Sequence, residues 1–399
     1  MSAANRELVS LMPPRSRPVM FKRVVRWVVV LVLVVALCVV GCGVFAYSQL
    51  RASLPTLDGE FEVVGVQEPV RVDRDDHGIP TIHAKSRIDL GYALGFSHGQ
   101  DRFFQMDVLR RSAAGELAEL FGPGLVSIDK GHRLFRFRDY AKQFHDTVPP
   151  DERALVEAYT AGVNAGLNSL GQKPFEYLVL GVEPQPWRTE DVALVAMAMF
   201  IDLQGGDYRD EAARMALHDT LPQPLYDFLN SVGNEWDAPI DGTKFEQPPI
   251  PGPEVYDLRE KLTANAASFS LASLPLRSEM EPFHAGSNNW AIAGTHSKHG
   301  GALIANDMHL RIGVPNIWYR AQFRWPASDG GEQTITGATL PGTPVMVVGS
   351  NGHVAWGFTN SEGDWTDVVV IEVDPDHPNQ YSTPGEKFSK HPETIRSGG

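Results

Sequence analysis

The stretch His284-Ala285-Gly286-Ser287-Asn288-Asn289-Trp290-Ala291-Ile292 marks the point at which the character of the sequence changes. Before it, apolar residues recur at helical spacing to about residue 217, and residues 237–286 form a proline-rich segment that continues without a core pattern. After it come short apolar runs typical of strands, from residues 289–293 to residues 368–373. Helices followed by closely spaced strands predict an α+β fold.

The composition is that of a folded protein and argues against a disordered one. The chain has 399 residues, of which 43% are hydrophobic, and this length is sufficient for two or more domains. Residues 1–48 contain six of the 35 basic residues and one of the 49 acidic residues. Residues 49–399 therefore carry 29 basic and 48 acidic residues, which argues against a nucleic acid partner.

Residues 27–47 form an uncharged, strongly apolar run of 21 positions. At about 1.5 Å per residue, this run can cross a hydrocarbon core of about 30 Å. Lys22, Arg23 and Arg26 precede it, and positive residues stay on the cytoplasmic side. We therefore predict a cytoplasmic basic tail at residues 1–26 and a single-pass signal-anchor at 27–47 in a bacterial inner membrane. The exported part then lies in the periplasm or outside the cell.

Both cysteines, Cys38 and Cys42, lie inside this apolar run, so the exported region has no disulfide framework. The residues Val39-Val40-Gly41-Cys42 also resemble a bacterial lipoprotein cleavage box. A lipid anchor at Cys42 is therefore the alternative to an uncleaved signal-anchor.

Two serines are candidate nucleophiles, and the first lies in Gly95-Phe96-Ser97-His98-Gly99. This run matches G-x-S-x-G, the nucleophile elbow of α/β-hydrolases, which needs a strand before the serine and a helix after it. Residues 89–94 have a helical pattern instead, and no alternation of strands and helices surrounds them. An esterase that uses Ser97 is therefore an alternative that we do not favour.

The second candidate is Ser287, at a glycine-serine junction between the proline-rich segment and the first strand. On spacing alone, a simple turn into a strand is the better interpretation, because Gly-Ser is common in loops.

The surrounding motifs favour a catalytic role for Ser287. Gly286-Ser287-Asn288-Asn289-Trp290, Asn306-Asp307-Met308-His309-Leu310 and Trp356-Gly357-Phe358-Thr359-Asn360 resemble blocks of the penicillin acylase family of N-terminal nucleophile hydrolases. Residues 74–80, 99–106 and 115–122 resemble upstream blocks of the same family, in the same order. The resemblance covers residues 69–373.

The resemblance implies a four-layered αββα fold, with a helical α region at residues 49–236, a linker or spacer at 237–286 and a strand-rich β region from 287 to 399. It implies that the precursor cuts its own bond before Ser287, giving an α and a β chain. The freed α-amine of Ser287, with a pKa of about 8, then serves as the base for its hydroxyl.

Two further catalytic residues follow from the resemblance. His309 is expected to hydrogen-bond and position the serine or its amine, although a satisfied strand-end histidine is the alternative. The backbone N–H of Asn360 is expected to stabilise the oxyanion. The family places a second donor, an asparagine, beyond Gly399, so the β region is expected to be truncated.

The resemblance also implies a calcium site, with Glu211 from the helical region, the carboxylates of Asp364 and Asp367, and the backbone oxygen of Thr366. Such oxygen ligands suit Ca²⁺, although acidic loops are usually only solvated. We expect no organic cofactor. A transition-metal site is not favoured because the sequence has no H-E-x-x-H or similar spacing.

The predicted function is hydrolysis of an N-acyl amide through an acyl-Ser287 intermediate to a carboxylic acid and an amine. Penicillins, cephalosporins and acyl-homoserine lactones are the substrate classes that the family suggests, and Leu310 and Phe358 are candidates to line the acyl pocket. A membrane-anchored binding protein without catalytic activity is the remaining alternative.

Overall fold

The computed structural model describes residues 19–204, 207–234, 236–237, 239–257, 286–310, 312–328, 330–361, 363, 365–377 and 391–398. In this part of the chain the helices are α1 (Val19–Ala52), α2 (Arg87–Ala114), α3 (Ala118–Phe121), α4 (Val126–Arg133), α5 (Phe137–Thr147), α6 (Pro150–Asn168), α7 (Phe175–Leu180), α8 (Asp191–Gln204), α9 (Asp207–Thr220) and α10 (Gln223–Leu229). The strands are β1 (Arg71–Arg74), β2 (Pro80–His83), β3 (Gly286–Ile292), β4 (Leu303–His309), β5 (Tyr319–Pro326), β6 (Glu332–Thr339), β7 (Met346–Ser350) and β8 (Ala355–Trp356).

The strands form two sheets. The larger has the order β1-β2-β5-β6-β7-β8, in which only the β2–β5 pair is parallel. The smaller is an antiparallel ribbon of β3 and β4. The prediction of a mixed helix and sheet fold is confirmed. The strand predicted at residues 368–373 is not formed: of these six residues only Val373 takes a bridge position, and Val369 and Val370 are exposed.

Helix α2 is the centre of the main core. It begins after Ser86, whose hydroxyl accepts the Asp89 N–H, and it ends at Gly115 with a positive φ of 64°. Ser and Gly are favoured at these two ends because the hydroxyl satisfies a free amide and glycine tolerates the left-handed region. Leu94, Phe103 and Met106 of α2 are buried in one cluster with α6 and the larger sheet.

Helices α2 and α6 approach each other closely through glycines. A Cβ added at Gly95 or Gly99 would overlap a backbone carbonyl of α6, and one added at Gly162 or Gly166 would overlap a carbonyl of α2. Protein interiors are packed as densely as crystals of small organic molecules, so they have no room for the added methyl group of an alanine. These glycines therefore set the distance between the two helices.

His98 fixes α2 and α6 to the larger sheet. Its Nδ1 lies 2.7 Å from the Tyr159 hydroxyl and its Nε2 lies 3.0 Å from Thr339 Oγ1. Burial, with a smaller effect from the charge of Arg102, lowers the pKa of His98 to about 3. His98 is thus a neutral, fully buried structural group.

A second buried network is ionic. Asp107 of α2 accepts hydrogen bonds from Arg110 Nε (2.7 Å), Arg111 Nε (2.9 Å) and the Tyr177 hydroxyl (2.6 Å). Arg110 also pairs with Asp191 at the start of α8. Both carboxylates are fully buried, and charges in such positions are stable only when paired in this way.

Helix α1 stands apart from the core. Over residues Lys22–Ala52 it is long and apolar enough to cross a membrane, and none of its most apolar part is buried against the described chain. A signal sequence would satisfy the same criterion of length and composition.

Candidate active site

The candidate nucleophile Ser287 is the second residue of β3. In the β3–β4 ribbon, Gly286 is opposite His309 and Ser287 is opposite Met308. Successive side chains of a strand point to opposite faces, and directly opposed residues share a face. The side chains of Ser287 and His309 therefore lie on opposite faces of the ribbon.

The amide of Asn360 reaches Ser287 from the segment after β8. The Asn360 N–H donates to Ser287 Oγ at 2.7 Å, a short hydrogen bond between residues 73 positions apart. The structure thus brings together two of the three predicted catalytic residues.

Two asparagines of the ribbon bind the segment that leads to Asn360. Asn289 Nδ2 donates to the Gly357 carbonyl at 2.6 Å. Asn306, which is opposite Asn289, donates from Nδ2 to the Phe358 carbonyl at 3.0 Å and accepts the Phe358 N–H at Oδ1 at 3.2 Å. Sequence reasoning gave neither asparagine a role, although both belong to the motifs around Ser287 and His309.

The helical region also contacts this segment. Gln204, a buried residue at the end of α8, donates from Nε2 to Asn360 Oδ1 at 3.4 Å. The contact joins residues 156 positions apart, and nothing in the sequence pattern indicated it.

His309 lies on the other face with Asn288 and Asp307. Its Nε2 is 3.1 Å from Asn288 Nδ2 and 3.1 Å from Asp307 Oδ2. A protonated Nε2 would donate to Asp307, and an unprotonated one would accept from Asn288, so these neighbours govern the tautomer. Its predicted contact with Ser287 is not among the hydrogen bonds of the described residues, and its catalytic role stays a prediction.

The candidate acyl-pocket residues lie close in the chain to the other two predicted catalytic residues, Leu310 next to His309 and Phe358 two residues before Asn360. Phe358 is 60% exposed, although its backbone is held by Asn306. Leu310 directly follows β4 and is half-buried.

Three of the four predicted calcium ligands lie among the described residues, and Asp364 does not, so the predicted site stays a prediction. Glu211 pairs with Arg214 at 3.0 Å, and Asp367 is exposed. Thr366 Oγ1 is buried without a described hydrogen-bond partner. The described part of the chain has no group of three His, Cys, Asp or Glu residues that could hold a metal.

Ser97 lies in the middle of α2 and is 1% exposed. Its hydroxyl donates to the Ala93 carbonyl one turn earlier, at 3.0 Å. A nucleophile elbow places the serine on a sharp, exposed turn between a strand and a helix. The geometry therefore contradicts the esterase alternative, and the glycines of G-x-S-x-G serve the contact between α2 and α6.

We expect Ser97→Ala to leave the activity predicted for the complete protein unchanged. The Ala93 carbonyl keeps its helical partner, so the free energy of unfolding should change by less than about 1 kcal/mol. Denaturant unfolding and a rate assay on the variant and wild type check this. A complete loss of activity in a folded variant would restore the role of Ser97.

Comparison with known proteins identifies several to which this chain is similar in sequence. The family profile described as penicillin amidase matches residues 69–399. The acyl-homoserine lactone acylase QuiP of Pseudomonas aeruginosa is 31% identical over 337 residues, which is 84% of this chain and 38% of that protein. The penicillin acylase 2 proenzyme of Pseudomonas sp. (strain SE83) is 32% identical over 333 residues, 82% of this chain and 41% of that protein.

The chain thus spans about two fifths of the length of these relatives. Among solved structures, the thermostable penicillin G acylase from Alcaligenes faecalis aligns with 26% identity and a TM-score of 0.38, over 46% of this chain and 98% of that one. This superposition is too loose to decide the fold. The match of the family profile over most of the sequence is decisive: the chain belongs to the penicillin amidase family.

Proposed function

We propose that the complete protein is a self-processing amide hydrolase that cuts an N-acyl amide through an acyl-Ser287 intermediate. The observation that carries this proposal is the hydrogen bond from the Asn360 N–H to Ser287 Oγ. It places a fixed backbone donor beside the hydroxyl at which both self-cleavage and hydrolysis would begin.

Self-cleavage starts with attack of the Ser287 hydroxyl on the carbonyl carbon of Gly286. The hydroxyl proton passes to the Ser287 nitrogen as the bond between that nitrogen and the carbonyl carbon breaks and an ester forms; water then hydrolyses the ester to the Gly286 carboxylate and the free Ser287 hydroxyl. The step frees the α-amine of Ser287, and a terminal α-amine, whose ordinary pKa is about 8, suits a base near neutral pH.

Hydrolysis repeats the attack on a substrate amide. The amine of Ser287 takes the hydroxyl proton and passes it to the leaving amine, and water releases the carboxylic acid from the acyl-serine. Negative charge builds on the carbonyl oxygen, where one fixed donor is worth about 3 to 4 kcal/mol. The Asn360 N–H is the proposed donor.

For the substrate, we propose an N-acyl amide with an apolar acyl group. The names of the two relatives refer to acyl-homoserine lactones and to penicillin, both of which are N-acyl compounds. Leu310 and the exposed ring of Phe358 are the proposed apolar contacts, because each lies within two residues of a proposed catalytic residue.

The proposed fold and location follow the family. The ribbon and the larger sheet would be parts of a four-layered αββα fold, cut into an α and a β chain before Ser287. Helix α1 would hold this fold at the outer face of the inner membrane, with the basic residues 1–26 inside.

Calcium is proposed to stabilise the complete protein through Glu211, Asp364, Thr366 and Asp367. If so, a chelator should lower the unfolding temperature, and Ca²⁺ but not Mg²⁺ should restore it. Calcium at a concentration one hundred times its Kd would raise the free energy of unfolding by about 3 kcal/mol. Asp367→Asn should remove this dependence, whereas Asp376→Asn, an exposed acidic residue nine positions later, should keep it. Identical unfolding with and without chelator would refute the site.

The proposed activity is tested with the full coding sequence expressed in a bacterial membrane. Intact mass shows whether the protein is cut before Ser287, and a primary-amine reagent detects products from penicillin G and from N-acyl-homoserine lactones of different chain length. Cutting and amine release support the proposal. An uncut protein that binds these compounds without product would favour the binding-protein alternative.

A further inference from the structure

The segment from Gly357 to Asn360 is held against the β3–β4 ribbon by side chains and not by strand pairing. Strand β8 ends at Trp356, and the residues after it up to Asn360 have no regular secondary structure. The amide of Asn360 nevertheless has to stay within hydrogen-bond distance of Ser287 for the proposed function to operate. Something other than a strand ladder must therefore fix this segment.

Asn306 makes three hydrogen bonds that do so. Its Nδ2 donates to the Phe358 carbonyl at 3.0 Å and to the Asn288 carbonyl at 3.1 Å, and its Oδ1 accepts the Phe358 N–H at 3.2 Å. One carboxamide thus satisfies both backbone groups of Phe358 and ties them to the strand that carries Ser287. A carboxamide supplies both a donor and an acceptor, whereas an ionised carboxylate supplies acceptors only.

The close approach of Gly357 supports the same conclusion. A Cβ added at Gly357 would lie 2.9 Å from both Cβ and Oδ1 of Asn306. The segment can therefore lie this close to Asn306 only with glycine at position 357. Asn289 adds a fourth hydrogen bond, to the Gly357 carbonyl at 2.6 Å.

We infer that the side-chain hydrogen bonds of Asn306 and Asn289 fix the Gly357–Asn360 segment so that the Asn360 amide faces the nucleophile, with Asn306 as the main positioning residue. This inference rests on the proposed function and adds these residues to it. Asn306 acts through the backbone of Phe358, two residues from the donor. Removal of one oxyanion donor typically lowers kcat by about 100- to 1,000-fold. Displacement of a donor that is still present should lower kcat by a smaller factor.

The test is Asn306→Asp in the full-length protein. Aspartate has nearly the same shape and still accepts the Phe358 N–H, but it places a carboxylate against the carbonyls of Phe358 and Asn288. We expect kcat to fall about 10- to 100-fold, with KM within about threefold of wild type, because the lost contact acts in the transition state. Self-cleavage before Ser287, followed by intact mass, should slow in parallel.

Asn351→Asp is the matched control. Asn351 Oδ1 accepts the N–H groups of His353 and Val354 at 3.0 and 2.7 Å, and aspartate can accept both. Its kcat and its rate of self-cleavage should stay within about twofold of wild type, since among the described residues only the side-chain oxygen of Asn351 accepts hydrogen bonds there.

A second variant keeps the test decisive if Asn306→Asp does not fold. Asn289 is exposed, so Asn289→Ala removes one hydrogen bond of the segment without opening the core. We expect it to lower kcat by about threefold to tenfold at an unchanged unfolding temperature. Wild-type kcat in a folded Asn306→Asp, or in Asn289→Ala if the first variant is unfolded, overturns the inference alone. A wild type that neither cuts itself nor hydrolyses amides overturns the proposed function, and the inference with it.

Discussion

Ser287→Ala is expected to leave the complete protein as one uncut chain without amide hydrolase activity. Alanine has no hydroxyl to attack the Gly286 carbonyl, so the α-amine that we propose as the base would never be released. Loss of a serine nucleophile costs about 10⁶-fold in kcat in a well-studied serine hydrolase, and here the base is lost with it. Intact mass and the sequence of each new N-terminus measure cutting, and amine release measures turnover.

Ser297→Ala is the control for this variant. Ser297 lies in the turn between β3 and β4, where its hydroxyl oxygen is 2.6 Å from the Gly301 carbonyl oxygen and 3.2 Å from the Gly294 carbonyl oxygen. Its loss should leave cutting before Ser287 intact. A Ser287→Ala protein that is still cut at the same bond would show that another nucleophile, or a separate protease, makes the cut.

The sequence was sufficient to predict the elements at the site but not its three-dimensional arrangement. The change from helices to strands at Ser287 and the donor at Asn360 were both read from motifs. The motifs did not predict the face of the ribbon on which His309 lies, because a shift of one residue in the pairing of β3 with β4 would reverse that face. Residues 293–302, which join the two strands, do not fix that register from sequence.

The contacts that hold Asn360 were beyond sequence reasoning for a different reason. Asn306 contacts a segment 52 residues away, and Gln204 contacts one 156 residues away. Each side chain is a polar residue of ordinary type, and only the folded chain gives it a partner. Motifs therefore identified the residues that would react, and the structure was needed to find those that hold them.

The G-x-S-x-G match shows how a short motif can have a purely structural cause. Gly91, Gly95 and Gly99 recur every four residues, so they form one stripe along α2. Gly162 and Gly166 form a matching pair on α6. The four-residue spacing, rather than the serine between two of the glycines, was the signal for the close contact of these helices.

Gly95→Ala, which disturbs the contact between α2 and α6, is expected to have the largest effect on stability. The added Cβ would overlap the backbone carbonyl oxygen of Tyr159, which cannot rotate away as the end of a side chain can. The helices would have to separate, which would loosen the packing of Tyr159 and Val163 in the core. Overpacking of this kind costs about 1 to 3 kcal/mol and sometimes more. We expect the upper end, because the obstacle is backbone.

Gly131→Ala gives the opposite expectation and serves as the control. Gly131 lies inside α4 with no atom within 4 Å of the added Cβ. Alanine there should raise the free energy of unfolding by about 0.5 to 1 kcal/mol, because glycine loses more backbone entropy in a helix. Urea unfolding of both variants, followed by circular dichroism, measures the two changes. A Gly95→Ala protein as stable as wild type would mean that α2 and α6 do not touch through their glycines. If the free energy of unfolding falls in Gly95→Ala and rises in Gly131→Ala, the glycine contact between α2 and α6 determines the packing of the core.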